Sequence, residues 1–391
     1  MADAPRQPNL LVIAGEVSGD MHAAHAVREL LKRRPGLTVW GIGGDRLREQ
    51  GVELLQHTRD MSVLGLVEVL KRYGFFRRVF RDVLREVEAR RPAAALLIDY
   101  PGFNLRLAAE LKKRGVKVVY YVCPQVWAWH RSRIPKMARI IDTLLVIFPF
   151  EVEIFAKVGL DVQFVGHPLV EEARKVIDAP PVQLPWPAPL RMAMLPGSRR
   201  QELERILPAM LDAAARLENE RGDAGFLLPA ASPEMEELAR AIIARHPRPP
   251  NRLVIVSGQT RSILRQARAA WVTSGTATLE TALMECPMVV IYKTAQLTYE
   301  AGKRLVRVPH LGMVNLLAGR ELCPELIQHA VTGENLVNAI RPLLDDTPAR
   351  AEMIDGLRRV NASLGEGGAA GHVAAVLDRT LAAPVPPAAR T

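Results

Sequence analysis

Short apolar runs alternate with helix-length amphipathic stretches along almost the whole chain, and this alternation limits the fold more than any other feature. A run that is apolar at every position suits a strand buried on both faces. A helix between successive strands is the crossover that parallel pairing needs. Runs at 10–14, 38–42, 94–98, 116–122, 143–147 and 162–165 are the expected strands of a first sheet. Those at 192–195, 225–228, 253–256, 270–273 and 288–292 belong to a second. Between the two sets the pattern stops, and prolines at 180, 181, 185, 187 and 189 remove backbone donors and resist both helix and central strand. The expected organisation is therefore a first domain over 1–178, a proline-rich linker over 179–190 and a second domain over 191–345. Helices and a loose tail over 346–391 would pack back on the first domain or on a partner subunit. The fold class is α/β, two Rossmann-like doubly wound domains facing a cleft. Ligands of such sheets bind beyond the carboxyl ends of the strands, so chemistry is sought in the loops that follow them.

Charge says which ligands to look for. The chain of 391 residues carries 52 Lys+Arg and 42 Asp+Glu, a formal excess of +10, which points to an anionic partner: nucleic acid, phospholipid or a phosphorylated substrate. Cys123, Cys286 and Cys323 are odd in number and widely spaced, forming neither a disulfide framework nor a CxxC metal site, so a reducing, cytoplasmic setting is expected. The opening MADAPRQPN, with neither a basic start nor an apolar stretch, is not expected to act as a signal peptide, and nowhere do about 18 uncharged apolar residues run together as a bilayer span requires.

Five loops carry unusual residues. Gly15-Glu16-Val17-Ser18-Gly19-Asp20 follows the first strand; it is either a strand-to-helix turn with Asp20 as cap or a polar loop for a sugar acceptor, since two carboxylates would repel a bare phosphate. Asp99 directly follows a very apolar strand, where partial desolvation should raise its pKa and its basicity. Asn104 is the better helix cap, which leaves Asp99 free. Trp127 and Trp129 offer planar faces for sugars or apolar chains, or else pack a domain edge. Gly197-Ser198-Arg199 opens a helix with a hydroxyl and a guanidinium, a plausible diphosphate clamp. Ser274-Gly275-Thr276 lets a helix N-terminus approach a diphosphate, with Glu280 one turn deeper to accept from a ribose diol. Together these last two loops read as a nucleotide-sugar grip.

The stretch 64–91 differs from the rest. Leu66, Val67, Leu70, Phe75, Phe76 and Phe80 form an apolar set broader than one core stripe needs. Residues 71–91 hold eight basic side chains against three acidic ones, half of the whole chain's excess. A basic amphipathic helix of this kind reads as an interfacial membrane element, the alternative being an ordinary core helix with a solvated basic side.

The segments GEVSGD, GIGGDRL, MSVLGLVEVL, LIDYPGFNLRLAAELKKRGVKVVYYVCPQVWAW, FVGHPL, LPGSRRQE, SGTATLETALMECPMVVIYKT and VNLLAGRE, in order from about 11 to 326, resemble lipid-A-disaccharide synthase. That resemblance implies an inverting, metal-independent glycosyltransferase of GT-B fold with no cofactor. It would join UDP-2,3-diacylglucosamine to 2,3-diacylglucosamine 1-phosphate (lipid X), giving the β-linked disaccharide 1-phosphate and UDP. The setting it implies is the cytoplasmic face of the inner membrane, bound peripherally to anionic lipids. Residue by residue, it implies Asp99 as general base and Arg199 at the diphosphate. Ser18, Asn315 and Arg320 become substrate positions, and Ser274, Gly275, Thr276 and Glu280 the UDP segment. Many members carry a second aspartate where this chain has Gly102, so the base role falls on Asp99 alone. Members also often exchange C-terminal helices between subunits, so a homodimer is open. Two rivals remain: a UDP-N-acetylglucosamine epimerase of the same fold, which would need no apolar acceptor surface, and a basic RNA-binding protein, for which no motif appears.

Overall fold

The computed structural model describes residues 8–61, 72–305 and 308–382. Leu66, Val67 and Leu70, expected to face a membrane, lie outside the described residues. The chain divides into two compact units, Met1–Pro168 with Glu366–Thr391, and Leu169–Gly365.

The first unit is built on strands β1 (Asn9–Ala14), β2 (Thr38–Gly43), β3 (Glu53–His57), β4 (Ala94–Ile98), β5 (Lys117–Tyr121), β6 (Thr143–Val146) and β7 (Asp161–Phe164). They pair in the order β3-β2-β1-β4-β5-β6-β7, and every pair is parallel. The chain runs outward from β1 in one direction, then returns to start β4 on the other side. At that reversal Ala14 stands beside Ile98, so the loops that begin at Gly15 and Asp99 leave the sheet as neighbours. The core explains the order: β1 and β4 are buried along nearly their whole length, as central parallel strands are. The helix Val17–Arg33 presents Ala23, Ala26, Val27 and Leu30 to this sheet. Its small residues also admit the last helix, Ala369–Ala382, whose Val373, Ala374 and Leu377 enter the same core. An Arg34–Asp378 ion pair closes that contact.

The second unit repeats the plan with β8 (Leu190–Leu195), β9 (Ala224–Ala230), β10 (Leu253–Ser257), β11 (Ala269–Thr273), β12 (Met288–Tyr292) and β13 (Glu325–Ile327), all parallel. The order is β10-β9-β8-β11-β12-β13, so the reversal lies between β8 and β11. All eleven expected strands are present with ends within two residues, and β3 and β13 are additional. Both additions are sheet edges and only half-buried, so neither carries the all-apolar signature of the central strands.

The division between units differs from the expected one. The helix Leu169–Asp178 goes with the second unit, and the proline-rich stretch runs along that same unit instead of joining the two. Prolines cannot donate, but the carbonyls around them accept. Arg265 Nη1 donates to the carbonyls of Val176 at 2.6 Å and Ala179 at 2.7 Å, and Gln266 Nε2 to that of Val182 at 2.8 Å. Leu184 is buried and the Trp186 indole donates to Gln266, so the stretch is a strap held down along its length. The helix Pro348–Ser363 also belongs to the second unit, and only the segment from Glu366 returns to the first.

Candidate active site

Each unit has a distinctive loop cluster at its strand-order reversal, the place where open α/β sheets bind ligands.

In the first unit, β4 ends in Asp99 and Tyr100, both left-handed with φ of 44° and 48°. Two consecutive non-glycine residues in that region cost of order 1–3 kcal/mol each and persist only where surroundings enforce them. Here the enforcement is visible. The Asp99 amide donates to the Tyr121 carbonyl at 3.0 Å, and the Asp99 carbonyl accepts from the Tyr120 hydroxyl and, at 2.9 Å, from Asn104 Nδ2. The elbow leaves the Asp99 carboxyl largely buried. Burial first, and the nearby Glu16 charge second, push its pKa up to about 6. A carboxylate poised there takes up a proton readily near neutrality. Gly15 is required beside it, because an added Cβ would sit 2.5 Å from the Tyr100 ring.

The neighbours of Asp99 have other duties than those expected from sequence. Asn104 does not cap its helix; its side-chain amide holds the carbonyls of Ile98 and Asp99, and its Oδ1 is buried without a partner. Asp20 is buried, and its carboxylate accepts from the amides of Gly44 at 2.6 Å, Arg46 at 3.1 Å and Leu47 at 3.3 Å. It therefore caps the turn after β2, where Gly44 leaves room for it, and is turned away from a substrate role. Gly19 packs against Ile98 and Ala14, while Glu16 and Ser18 are exposed. Trp127 is also buried: its indole donates to Glu151 Oε1 at 2.9 Å and its ring meets Phe150 edge-on. Trp129, 47 % exposed, is the ring open to a ligand. Burial pushes the Glu151 carboxyl up to about 7 and holds His167 down to about 4, uncharged.

Beside Asp99 the helices Tyr73–Arg90 and Pro101–Lys113 enclose an apolar cavity of about 470 Å³. Phe80 meets Phe103 edge-on at 5.5 Å and is directed into this contact, and Phe76 lines the cavity, so the expected outward set narrows to half-buried Phe75. Sequence reasoning missed Tyr100, Phe103 and Arg106 here; the spacing of 103 and 106 on one helix face was the available signal.

In the second unit a cavity of about 330 Å³ opens at the ends of β8, β9 and β11. It brings together the Gly197-Ser198-Arg199 and Ser274-Gly275-Thr276 loops with Glu280, as their positions in the sequence anticipated. The details differ. Glu202 occupies the amides of Ser198 at 3.0 Å and Arg199 at 3.2 Å, and Gly197, at φ 112°, leaves the space its carboxylate fills. Those amides are not available to an anion; the exposed Arg199 guanidinium, 3.2 Å from Glu202, is. Ser274 donates its hydroxyl to the Leu311 carbonyl and the Thr278 amide donates to the Gly275 carbonyl at 3.1 Å, so the first-turn amides this loop leaves over are those of Thr276 and Ala277. Glu280 Oε1 lies 2.9 Å from Arg261 Nε, and Arg261 Nη1 lies 3.6 Å from Glu172, so the carboxylate is pre-positioned by an ion pair. Thr273 Oγ1 lines the same cavity, is buried and has no partner. It was missed because a threonine ending an apolar strand looks like part of the strand.

Asn315 is wholly internal. Its Nδ2 donates to the Cys323 carbonyl and Glu325 Oε1, and its Oδ1 accepts from the amides of Leu322 and Cys323, which uses every bond an asparagine side chain can make. It organises the 311–325 loop that Ser274 leans on. Arg320 is paired with Glu352 on the surface at 2.9 Å.

The family model described as lipid-A-disaccharide synthetase matches residues 10–375. The chain belongs to that family. A lipid-A-disaccharide synthase of Anaeromyxobacter dehalogenans strain 2CP-C is 45% identical over 374 residues, covering 93% of this chain and 95% of that one. Solved structures share the GT-B fold at much lower identity. The glycotransferase of kitacinnamycin has a TM-score of 0.62 at 17% identity, covering 96% of this chain and 99% of that one. UDP-GlcNAc 2-epimerase from Neisseria meningitidis has a TM-score of 0.61 at 11% identity, covering 95% and 100%. Fold alone does not separate the transferases from the epimerases, but membership in the synthetase family does. The chain is thus a transferase. Among the described residues no helix is long and apolar enough to cross a membrane.

Proposed function

We propose that this family member transfers 2,3-diacylglucosamine from its UDP derivative to 2,3-diacylglucosamine 1-phosphate, with inversion, releasing UDP and the β-linked disaccharide 1-phosphate. Asp99 carries the reading: a carboxyl raised to about 6, on an enforced left-handed elbow at the strand-order reversal. Asp99 takes the proton from the acceptor 6-hydroxyl as that oxygen attacks the anomeric carbon on the face opposite UDP. The sugar passes through an oxocarbenium-like state, and negative charge grows on the departing diphosphate. Arg199 and the first-turn amides of the helix Thr276–Leu283 meet that charge where it develops. Glu280, steadied by Arg261, accepts from the ribose diol.

The same reading gives the helix Tyr73–Arg90 a docking role at the cytoplasmic leaflet of the inner membrane. Exposed Tyr73 and half-buried Phe75 share this helix with exposed Arg78 and Arg81, and each basic residue near an anionic surface contributes about 1 kcal/mol. A homodimer would show as twice the chain's mass by light scattering after gel filtration. The direct test of the reaction is incubation with both diacylated substrates and detection of the disaccharide 1-phosphate by mass. Release of UDP without the disaccharide, or interconversion of UDP-N-acetylglucosamine instead, overturns the reading.

A further inference from the structure

The apolar cavity beside Asp99 has its own chemistry. We infer that it seats one acyl chain of the phosphorylated acceptor, with Arg77 and Arg106 at its mouth binding the acceptor's phosphate. This rests on the transfer reading above and adds to it where the acceptor sits and what fixes its chain length.

The cavity holds about 470 Å³, within the range of small-molecule sites. Phe76, Phe80, Tyr100 and Phe103 form its walls, and Arg77 and Arg106 are its charged side chains. Hydrocarbon walls beneath a cationic mouth suit an amphiphile with an anionic head, and neither a free nucleotide nor a bare ion would use both parts. Among the described residues neither guanidinium is held by a carboxylate. Elsewhere on the same helix Arg85 pairs with Asp82 and Arg90 with Glu53 and Glu86. Arg77 and Arg106 are exposed and pair with no carboxylate among the described residues. An exposed guanidinium is a ready phosphate ligand.

Position ties the cavity to the reaction. Tyr100 is at once a wall of the cavity and the second residue of the elbow that presents Asp99. A chain seated there therefore starts one residue from the carboxyl that must meet its sugar. Gly102 keeps the entrance open: a Cβ built on it meets nothing within 4 Å, and its backbone is in no strained region. A larger side chain at 102 would thus project into the space without disturbing the core.

The test uses the full chain in detergent micelles. Gly102→Leu is assayed with acceptors bearing long acyl chains and with a butanoyl-substituted acceptor. The paired change Arg77→Gln and Arg106→Gln is assayed with phosphorylated and dephosphorylated acceptors. Gly102→Leu is expected to raise KM for the long-chain acceptor at least about tenfold, the usual discrimination of a pocket that loses methylene contacts, while the butanoyl acceptor and UDP affinity are unaffected. The arginine pair is expected to raise KM roughly tenfold to a hundredfold for the phosphorylated acceptor only. Unchanged ratios between long and short acceptors in Gly102→Leu, and between phosphorylated and dephosphorylated acceptors in the arginine variant, overturn the inference. If Gly102→Leu loses UDP binding through misfolding, the surface arginines decide alone. Wild-type protein that makes no disaccharide at all would instead sink the transfer reading on which this rests.

Discussion

Removing the Glu16 charge tests the catalytic reading more sharply than deleting the base. The Asp99 carboxyl stands at about 6 against an ordinary 3.8, raised first by burial and second by the Glu16 charge, with a backbone hydrogen bond at Tyr100 acting the other way. With a value of about 6, roughly nine-tenths of the carboxyl is ionised at pH 7 and able to accept a proton. Below that value kcat/KM should fall about tenfold per pH unit, since only the free base works. In Glu16→Gln the repulsion that disfavours a second negative charge is gone, so the Asp99 value drops. The acid limb of the profile then moves below about 6. The same profile in Asp99→Asn should lie about 10²- to 10⁴-fold lower, on the order of 3–5 kcal/mol of lost transition-state stabilisation, with UDP affinity near wild type. Initial rates of disaccharide formation across pH, with UDP binding by calorimetry, read all three proteins. A limb that stays put or moves upward in Glu16→Gln, or unimpaired turnover in Asp99→Asn, contradicts a base role for Asp99.

Three other outcomes follow from buried groups. Glu151 has a folded value of about 7 against 4.5, so its contribution to stability is fully present below about 4.5 and is lost as pH rises through about 7, a loss on the order of 3 kcal/mol. Glu151→Gln removes that titration, so its Tm should fall less than wild type's between about pH 5 and 8 by scanning calorimetry; parallel slopes would contradict it. Thr273→Val should weaken UDP about tenfold while leaving apo stability unchanged or slightly improved, because the hydroxyl has no partner inside the protein. Equal UDP affinity would remove Thr273 from the pocket's chemistry. Asn315→Ala should cost about 3 kcal/mol or more in denaturant unfolding, since it orphans four buried bonds. A stable variant impaired only in substrate KM would restore Asn315 to the substrate surface.

The central strands were legible because burial on both faces writes itself as uninterrupted apolar sequence, as in 94–98 and 288–292. The edge strands Glu53–His57 and Glu325–Ile327 were not, because half-buried edges carry no such run. The prolines at 180–189 marked an irregular segment correctly, but composition cannot say what its carbonyls bind, and here Arg265 and Gln266 fasten it. Local chemistry misled where a polar residue had a distant structural claim on it: Asp20 belongs to the turn at Gly44, and Trp127 to Glu151.

Sequence by itself determined the two parallel sheets, the family, and the loops at Asp99 and at Ser274, since these depend on local pattern and on which residue follows which strand. Tertiary structure alone decided which polar groups are spent and which are free. Glu202 fills the amides of Ser198 and Arg199, Arg261 steadies Glu280, and Thr273 keeps an unused hydroxyl in the pocket. The physical reason is that a hydrogen bond is claimed by whatever the fold brings within about 3 Å, and that neighbour is often far away in sequence.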